Sequence, residues 1–368
     1  MWQQRTPSSA DARLPASVHL VTGVTGQDGV HLARALHAAG HVVVGTWLPE
    51  HRSPHLVHLP RSDRLRLAAL DVRDDATFAQ LLEQHLPDVV HHLAALSSVG
   101  DSWQQRDLTD EVNHRAVVRM LARLEEHAQR HGRAPRLLFA SSSEIFGAAV
   151  PGALLDEHSP LRPVSPYGEA KARAHEAVVA ARSRGLDATS LVLFGHTSPL
   201  HAPRFVLRQI VRQSAERALG RREVVAVRDP SVARDWGSAP DLMRAFAAAA
   251  AVERTEDLVV ATGRAHTLGE IAEWAADAAA RESVDTSGGR TDAALVVGGP
   301  DTARPRDVTG VCGDASRAEA VLGWRPTVPL RAEVERMVRV DLRRLRTGVE
   351  EDPALLDLPA LAPAGAPD

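Results

Sequence analysis

Short apolar runs alternate with amphipathic helical segments from residue 18 onward. The run Val18–Thr22 has the pattern of a buried strand, and a glycine-bearing turn follows it. A helix is predicted over 29–39, with Leu32, Ala35 and Leu36 on one face, and Gly40 ends it. Such alternation is typical of βαβ units, which build a parallel sheet. Further strands and one long helix are predicted, in chain order, at 41–46, 65–72, 89–94, 108–131 (the helix), 137–140 and 188–194.

The periodic pattern loosens after Gly195, where loops rich in proline, glycine and arginine separate the helices. The sequence therefore predicts an α/β fold, a doubly wound parallel-sheet Rossmann domain with a smaller C-terminal substrate-binding lobe. The predicted domains are a disordered leader (1–17), the Rossmann domain (18–195, with a returning segment at 237–262), the lobe (mainly 196–345) and a disordered tail (346–368).

Composition and charge limit the kinds of partner and site that the chain is expected to have. A hydrophobic content of 44% with 24% charged residues fits a globular protein, and a net charge of −4 gives no reason to expect nucleic acid or an anionic membrane as a partner. The single cysteine, Cys312, excludes an internal disulfide and fits a reducing cytoplasm. His91 and His92 alternate along a predicted strand and point to opposite faces, and no HExxH spacing occurs, so no metal centre is predicted.

The turn after the first strand has the spacing GxxGxxG, formed by Gly23, Gly26 and Gly29. Glycines between a strand and a helix let backbone N–H groups face a pyrophosphate, so the turn predicts dinucleotide binding. Asp71 and Val72 are placed to touch an adenine ring; the alternative is an N-terminal cap of the next helix, a role for which Asp74 competes. The candidate cofactor residues in and around this first half of the domain are Gly23, Thr25, Gly26, Gln27, Asp28, Gly29, Asp71, Val72, Leu93, Ala94 and Ala95.

The only tyrosine of the chain, Tyr167, lies four residues before the only lysine, Lys171. On a helix these positions share one face, and a nearby cation favours the phenolate, so the pair predicts a tyrosine acid/base with a lowered pKa. The alternative is a pair of surface residues on an alanine-rich helix. Ser142 and Glu144 follow a predicted strand, where a serine can bind a sugar hydroxyl and a carboxylate can move a second proton. Their alternative is a serine-rich turn with a capping glutamate.

Together these motifs resemble the extended short-chain dehydrogenases/reductases and, within them, the GDP-mannose 4,6-dehydratases. The resemblance covers about residues 18–345. The stretches that carry it are TGVTGQDG (22–29), SSEIFG (142–147), SPYGEAK (165–171), LFGHTSP (193–199), RDWGSAPD (234–241), RPRDV (304–308) and LGWRP (322–326).

The resemblance implies a redox-neutral dehydration of a nucleotide sugar. Tyr167, helped by Ser142, takes the C4 hydroxyl proton while hydride passes to the nicotinamide. Glu144 then removes the C5 proton and protonates the departing C6 hydroxyl, after which hydride returns to C6. Lys171 holds the nicotinamide ribose, and His196 lies along the cofactor. Substrate contacts are implied for Ser97, Arg234 and Arg304, the two arginines gripping the diphosphate.

The resemblance also implies partners. The cofactor is tightly bound, recycled NADP, with NAD as the alternative, because Leu48–Pro49 stands where the family carries an Arg–Arg pair. The helices at 108–131 and 167–184 would pair in a homodimer, with a tetramer as the alternative. Other departures cluster around the ligands, so the substrate need not be GDP-mannose. An epimerase or decarboxylase of the same fold, and a non-catalytic dinucleotide sensor, are the competing interpretations.

Overall fold

The computed structural model describes residues 16–51, 53–147, 152–253, 256–284, 295–297 and 310–358. Its strands, in chain order, are β1 (Val18–Thr22), β2 (Val42–Trp47), β3 (Leu65–Ala69), β4 (Val89–His92), β5 (Arg136–Ser142), β6 (Leu154–Leu155), β7 (Ala188–Leu193), β8 (Gly195–Thr197), β9 (Val225–Val227), β10 (Ala233–Ser238), β11 (Leu258–Val260), β12 (Ala265–Thr267), β13 (Leu295–Val297) and β14 (Cys312–Gly313). Its helices are α1 (Gln27–Ala38), α2 (Asp75–His85), α3 (Val99–Ser102), α4 (Arg106–Asp110), α5 (Ala116–His131), α6 (Pro166–Ser183), α7 (Val206–Ala218), α8 (Ala239–Ala251), α9 (Leu268–Val284), α10 (Ser316–Leu322) and α11 (Leu330–Thr347).

Seven strands form a parallel sheet in the order β3–β2–β1–β4–β5–β7–β11. β1 pairs with β2 on one side and with β4 on the other, so the order reverses between β1 and β4. Ligands of doubly wound sheets bind at this reversal, beside the carboxyl ends of the strands. The predicted fold class is confirmed.

Helices cover both faces of the sheet. On one face α1 packs against α8, with Leu32, Leu36 and Phe246 fully or almost fully buried. On the other face α2, α5 and α6 form a layer over Leu20 and Val90. Both faces of the central strands are therefore buried, which explains their continuous apolar runs. Among the described helices, none has the length and apolar character needed to cross a bilayer.

A smaller lobe lies beyond the carboxyl edge of the sheet. Its helices α7, α9 and α11 pack around a separate apolar cluster that includes Ile210, Ile271 and Val338. Strand β10 pairs with β8 and β12 in a three-stranded sheet that runs beside this cluster. The chain returns to the first domain with α8 and β11, the latter pairing with β7.

The long helix predicted over 108–131 is interrupted. A π-helical turn, Glu111–Arg115, separates α4 from α5. At its centre the buried Asn113 side chain accepts a hydrogen bond from the backbone N–H of Leu96 (2.9 Å) and donates one to the Leu96 carbonyl (3.0 Å). The wider turn accommodates this bridge, as π-bulges at functional sites commonly do.

The disordered tail predicted from residue 346 is wrong for 346–358. A short 3-10 helix, Pro353–Asp357, buries Leu355, and the Glu351 carboxylate accepts a hydrogen bond from Nε2 of His58 at 2.7 Å. Apolar burial and this largely buried hydrogen bond hold the segment although its composition is rich in proline and acids. Residues 1–15 of the predicted leader and 359–368 of the tail lie outside the described residues.

Candidate active site

A cavity of about 1040 Å³ lies between the carboxyl edge of the sheet and the lobe. It brings together most of the predicted site residues, although they lie far apart along the chain. The predicted residues that line it are Gly23, Thr25, Gly26, Gln27, Asp28, Gly29, Leu93, Ala95, Ser97, Ser142, Glu144, Tyr167, Lys171, His196 and Arg234.

The glycine-rich turn forms a cradle that has no room for side chains. Gly23 has a left-handed backbone (φ +70°), and a Cβ there would lie 2.9 Å from Cα of Ala94. A Cβ on Gly29 would lie 2.3 Å from the carbonyl oxygen of Gly23. The N-terminus of α1 therefore approaches β1 and the end of β4 closely. Its unpaired N–H groups and dipole fit the pyrophosphate of a dinucleotide.

An ion pair spans the cavity from this turn to the lobe. Nε2 of His196, on β8, lies 3.0 and 3.1 Å from the two carboxylate oxygens of Asp28, and Nδ1 of His196 lies 2.7 Å from the carbonyl oxygen of Phe194. Burial alone would raise the pKa of Asp28, but His196 outweighs it and lowers that pKa to about 2. Burial opposes the charged imidazole, yet Asp28 outweighs it and raises the pKa of His196.

Tyr167 and Lys171 lie in the first turns of α6, where both are almost fully buried. The Lys171 ammonium donates to the carbonyl of Ala140 at 2.8 Å, and burial lowers its pKa to about 8. Burial also raises the pKa of Tyr167, which a hydrogen bond with Ser142 opposes. The predicted lowering of the tyrosine pKa is therefore wrong for the protein alone, because desolvation of the phenolate dominates.

A glycine sets the spacing between the tyrosine and Glu144. The Ser165 hydroxyl caps α6 by accepting from the N–H of Gly168 at 3.1 Å. A Cβ on Gly168 would lie 2.6 Å from the carbonyl oxygen of Glu144. This close approach lets the start of α6 pack directly on the turn after β5 and brings Tyr167 to the same cavity wall as Glu144.

The Glu144 carboxylate faces an arginine of the lobe. Nη1 of Arg234, on β10, lies 3.6 Å from Oε1 of Glu144, and the two side chains are 21% and 14% exposed. The partner of the proposed acid/base thus belongs to the other side of the cavity. A bound anion could draw the arginine away from the glutamate.

The GDP-mannose 4,6-dehydratase family model matches residues 20–337. The chain belongs to this family. It is 33% identical over 348 residues to GDP-mannose 4,6-dehydratase of Sinorhizobium fredii (strain HH103), covering 89% of this chain and 97% of that protein. It is 32% identical over 345 residues to GDP-mannose 4,6 dehydratase 1 of Arabidopsis thaliana, with 90% and 92% covered.

The chain is also similar to solved structures of proteins in complex with NAD. UDP-glucose 4-epimerase of Thermus thermophilus, in complex with NAD, is 26% identical with a TM-score of 0.72, covering 89% of this chain and 99% of that chain. MoeE5, in complex with UDP-glucuronic acid and NAD, is 27% identical with a TM-score of 0.70, covering 90% and 99%. The family confirms the predicted enzyme class, an NAD(P)-dependent lyase acting on nucleotide sugars.

Among the described residues, two predicted ones, Asp71 and Val72, do not line the cavity, and a third, Ala94, supports it from behind. The Asp71 carboxylate instead accepts from Nε of Arg73 at 2.9 and 3.0 Å, which lowers its pKa, and Val72 packs against the core. Ala94 lies behind Gly23 and does not line the cavity. Arg304 lies outside the described residues.

The cavity also contains residues that the family resemblance does not point to. Ser53 and His55, beyond β2, both contact the carbonyl oxygen of Thr25, at 3.0 and 3.2 Å. At the lobe end Gln209 and Gln213 lie four residues apart on α7 and line the cavity. Their spacing of four residues, which places two polar side chains on one helix face, was the available signal.

Proposed function

We propose that this member of the family is a nucleotide-sugar 4,6-dehydratase that converts GDP-mannose or a related NDP-hexose into its 4-keto-6-deoxy derivative. The observation that carries this proposal is the convergence of Ser142, Glu144 and Tyr167 on one cavity beside a dinucleotide cradle. A carboxylate next to the serine and tyrosine supplies the second acid/base that elimination requires and simple hydride transfer does not.

The cradle fits NADP, with NAD as the alternative. Gly23 and Gly29 let the start of α1 approach β1 and the end of β4, so that its N–H groups would face the pyrophosphate, and Lys171 would hold the nicotinamide ribose. The protonated His196 would balance the charge of Asp28, which otherwise repels a phosphate at the start of α1. A bound nicotinamide would supply the reversible hydride exchange that oxidation at C4 and reduction at C6 of the sugar require.

The chain's own residues would move the protons. Oη of Tyr167 accepts the C4 hydroxyl proton, and the Ser142 hydroxyl, already hydrogen-bonded to Tyr167, holds the C4 oxygen. Because burial raises the pKa of the tyrosine, ionisation depends on the Ser142 hydrogen bond and on positive charge bound beside it. The Glu144 carboxylate accepts the C5 proton and delivers a proton to the departing C6 hydroxyl, so water leaves.

Arg234 would exchange partners when substrate enters. Its guanidinium pairs with Glu144 in the protein alone, and a diphosphate offers a better bidentate acceptor. Moving to the substrate would leave the Glu144 carboxylate to face the sugar. Ser97 lines the same cavity and would contact the substrate, and we assign Arg304 the same role from the family pattern.

Product analysis in deuterium oxide tests this function. The purified protein is incubated with GDP-mannose and, in parallel, with other NDP-hexoses, and the products are examined by NMR and mass spectrometry. We expect a 4-keto-6-deoxy sugar with solvent deuterium at C5 from at least one of them. A product that retains its C6 hydroxyl would instead identify an epimerase or decarboxylase, and conversion of none of them with cofactor bound would favour a sensor.

We also propose that the protein is a cytoplasmic homodimer, whose two copies pair through α5 and α6. These helices pack together, and they expose Val118 (43%) and Val179 (38%). Glutamate at both positions should give a monomer in light scattering, because two charges would enter an apolar interface. The control is Val321→Glu, at a similarly exposed valine (39%) on α10, which should leave the dimer intact.

A further inference from the structure

A cluster of three metal-binding side chains lies away from the cavity, between α2 and α5. Nδ1 of His127 is 3.3 Å from Oε1 of Glu83, and Nε2 of His131 is 2.8 Å from Oε2 of the same carboxylate. The three donor atoms lie within 4.8 Å of one another, the only such group among the described residues. None of the three lines the cavity.

The helix geometry explains why these side chains meet. His127 and His131 are four residues apart on α5, so their rings lie on one face, with centroids 4.2 Å apart. Glu83 reaches them from α2, which packs against α5. His-x-x-x-His on a helix is the spacing at which two imidazoles can share one zinc ion. The sequence carries that pair, but its third member lies 44 residues earlier and is visible only in the fold.

Burial differs among the three in a way that suits ion binding. The His127 side chain is 5% exposed and therefore fixed, whereas His131 and Glu83 are 37% and 36% exposed and can turn. A tetrahedral zinc ion with bonds of about 2.0 Å holds its donor atoms roughly 3.3 Å apart. Small rotations of the two exposed side chains bring the donors to that spacing.

We propose that Glu83, His127 and His131 bind one Zn²⁺ ion, with water as the fourth ligand. Two imidazoles and one carboxylate suit Zn²⁺ and similar transition ions, whereas Mg²⁺ and Ca²⁺ take oxygen ligands. The ion replaces the two histidine–glutamate hydrogen bonds and joins α2 to α5. Because it binds only the folded arrangement, it adds thermal stability without taking part in the reaction.

Arg130 makes the proposal sharply testable. Its Nη1 lies 2.7 Å from Oε1 of Glu83, so it competes with an ion for the same oxygen and adds a repelling positive charge. Replacing it with glutamine should tighten Zn²⁺ binding, whereas damage to the helix pair would weaken it. This opposite sign separates a metal site from a merely structural cluster.

The experiment titrates tag-free protein with Zn²⁺ in a calorimeter and with Co²⁺ by visible absorption. We expect one ion per chain, an intense tetrahedral Co²⁺ spectrum and a higher melting temperature with Zn²⁺. His131→Asn and Glu83→Gln, chosen because both side chains are exposed enough to spare the fold, should each weaken binding at least about tenfold. The control is His158→Gln, at an exposed histidine outside the cluster, which should change nothing.

Two outcomes would contradict the proposed Zn²⁺ site. If the wild-type protein and the Glu83→Gln/His131→Asn double variant bound Zn²⁺ equally, the ion would bind elsewhere. Arg130→Gln weakening the binding would also contradict the proposal. Neither result depends on whether the protein dehydrates a nucleotide sugar.

Discussion

The two walls of the cavity are built by different means. The sheet wall, formed by Ser142, Glu144, Tyr167 and Lys171, is held largely by backbone: Lys171 bonds the Ala140 carbonyl, and α6 packs on the turn after β5. The lobe wall is held by side-chain contacts across the cavity. They join His196 to Asp28, Arg234 to Glu144 and Ser198 to Gln27.

From this difference we infer that the chemistry and the recognition of ligands belong to different walls of the cavity. Backbone contacts within one packed unit fix the proton-moving groups regardless of what is bound. Ion pairs across the cavity can instead exchange a protein partner for a phosphate or a sugar. Under the proposed function, the sheet wall would therefore set which reaction occurs, while the lobe wall would decide which nucleotide sugar enters and how firmly the cofactor stays.

Removing the carboxylate of the sheet wall should have the largest effect. Glu144→Gln keeps the shape of the side chain but cannot accept the C5 proton, so turnover should fall by about 10²- to 10⁴-fold. Formation of the 4-keto-6-deoxy product measures the loss, and Glu176→Gln on the exposed face of α6 is the control. Turnover within about tenfold of wild type would remove Glu144 from the acid/base role.

Breaking the charge pair across the cavity should have the next largest effect. Asp28→Asn removes the carboxylate whose two oxygens lie 3.1 and 3.0 Å from Nε2 of His196, and hydrogen bonds to charged groups contribute about 1.5–3 kcal/mol. We therefore expect a free energy of unfolding lower by about that amount in urea unfolding. Asp107→Asn, an exposed acid in the first turn of α4, should leave the free energy of unfolding nearly unchanged.

The same pair should make the wild-type stability depend on pH. The pKa of His196 is raised in the folded protein, so the pair contributes fully below the ordinary histidine pKa and is lost as the pH rises through the raised value. At acid pH it persists until Asp28 is protonated, near its pKa of about 2. Asp28→Asn should flatten this dependence in urea unfolding. An unchanged profile would show that His196 is not ionised in the pair.

The sheet wall was the more predictable of the two. Val18–Thr22 forms the strand that its apolar run predicts, and the glycine spacing and the Tyr167–Lys171 pair follow from local helix and turn rules. The lobe wall needs contacts between distant segments, such as β8 against α1, which no local pattern contains. The raised pKa of Tyr167 was missed for the same reason, because burial comes from the whole fold.

Adding one methyl group at Gly168 should disturb the sheet wall through its backbone. The new Cβ of Gly168→Ala would meet the Glu144 carbonyl at 2.6 Å, and overpacking of this kind costs about 1–3 kcal/mol. We expect a lower free energy of unfolding and reduced turnover. The control is Gly152→Ser: a Cβ at Gly152 meets nothing within 4 Å, although its left-handed φ of +83° adds some backbone strain. Turnover lost in the alanine variant alone would identify the packing of α6 on the Glu144 turn as the cause.

The smallest effect should come from behind the lobe wall, where the C-terminal segment meets the first domain. The Glu351 carboxylate contacts Nε2 of His58 at 2.7 Å and Nη2 of Arg344 at 2.9 Å, and Glu351→Gln should cost about 1 kcal/mol of unfolding free energy. Burial would raise the pKa of Glu351, but His58 and Arg344 lower it, so the contribution is lost as the pH falls through that lowered pKa. Glu350→Gln, at a neighbour 62% exposed, should cost less. Equal losses in both variants would show that the buried contact of Glu351 adds nothing to stability.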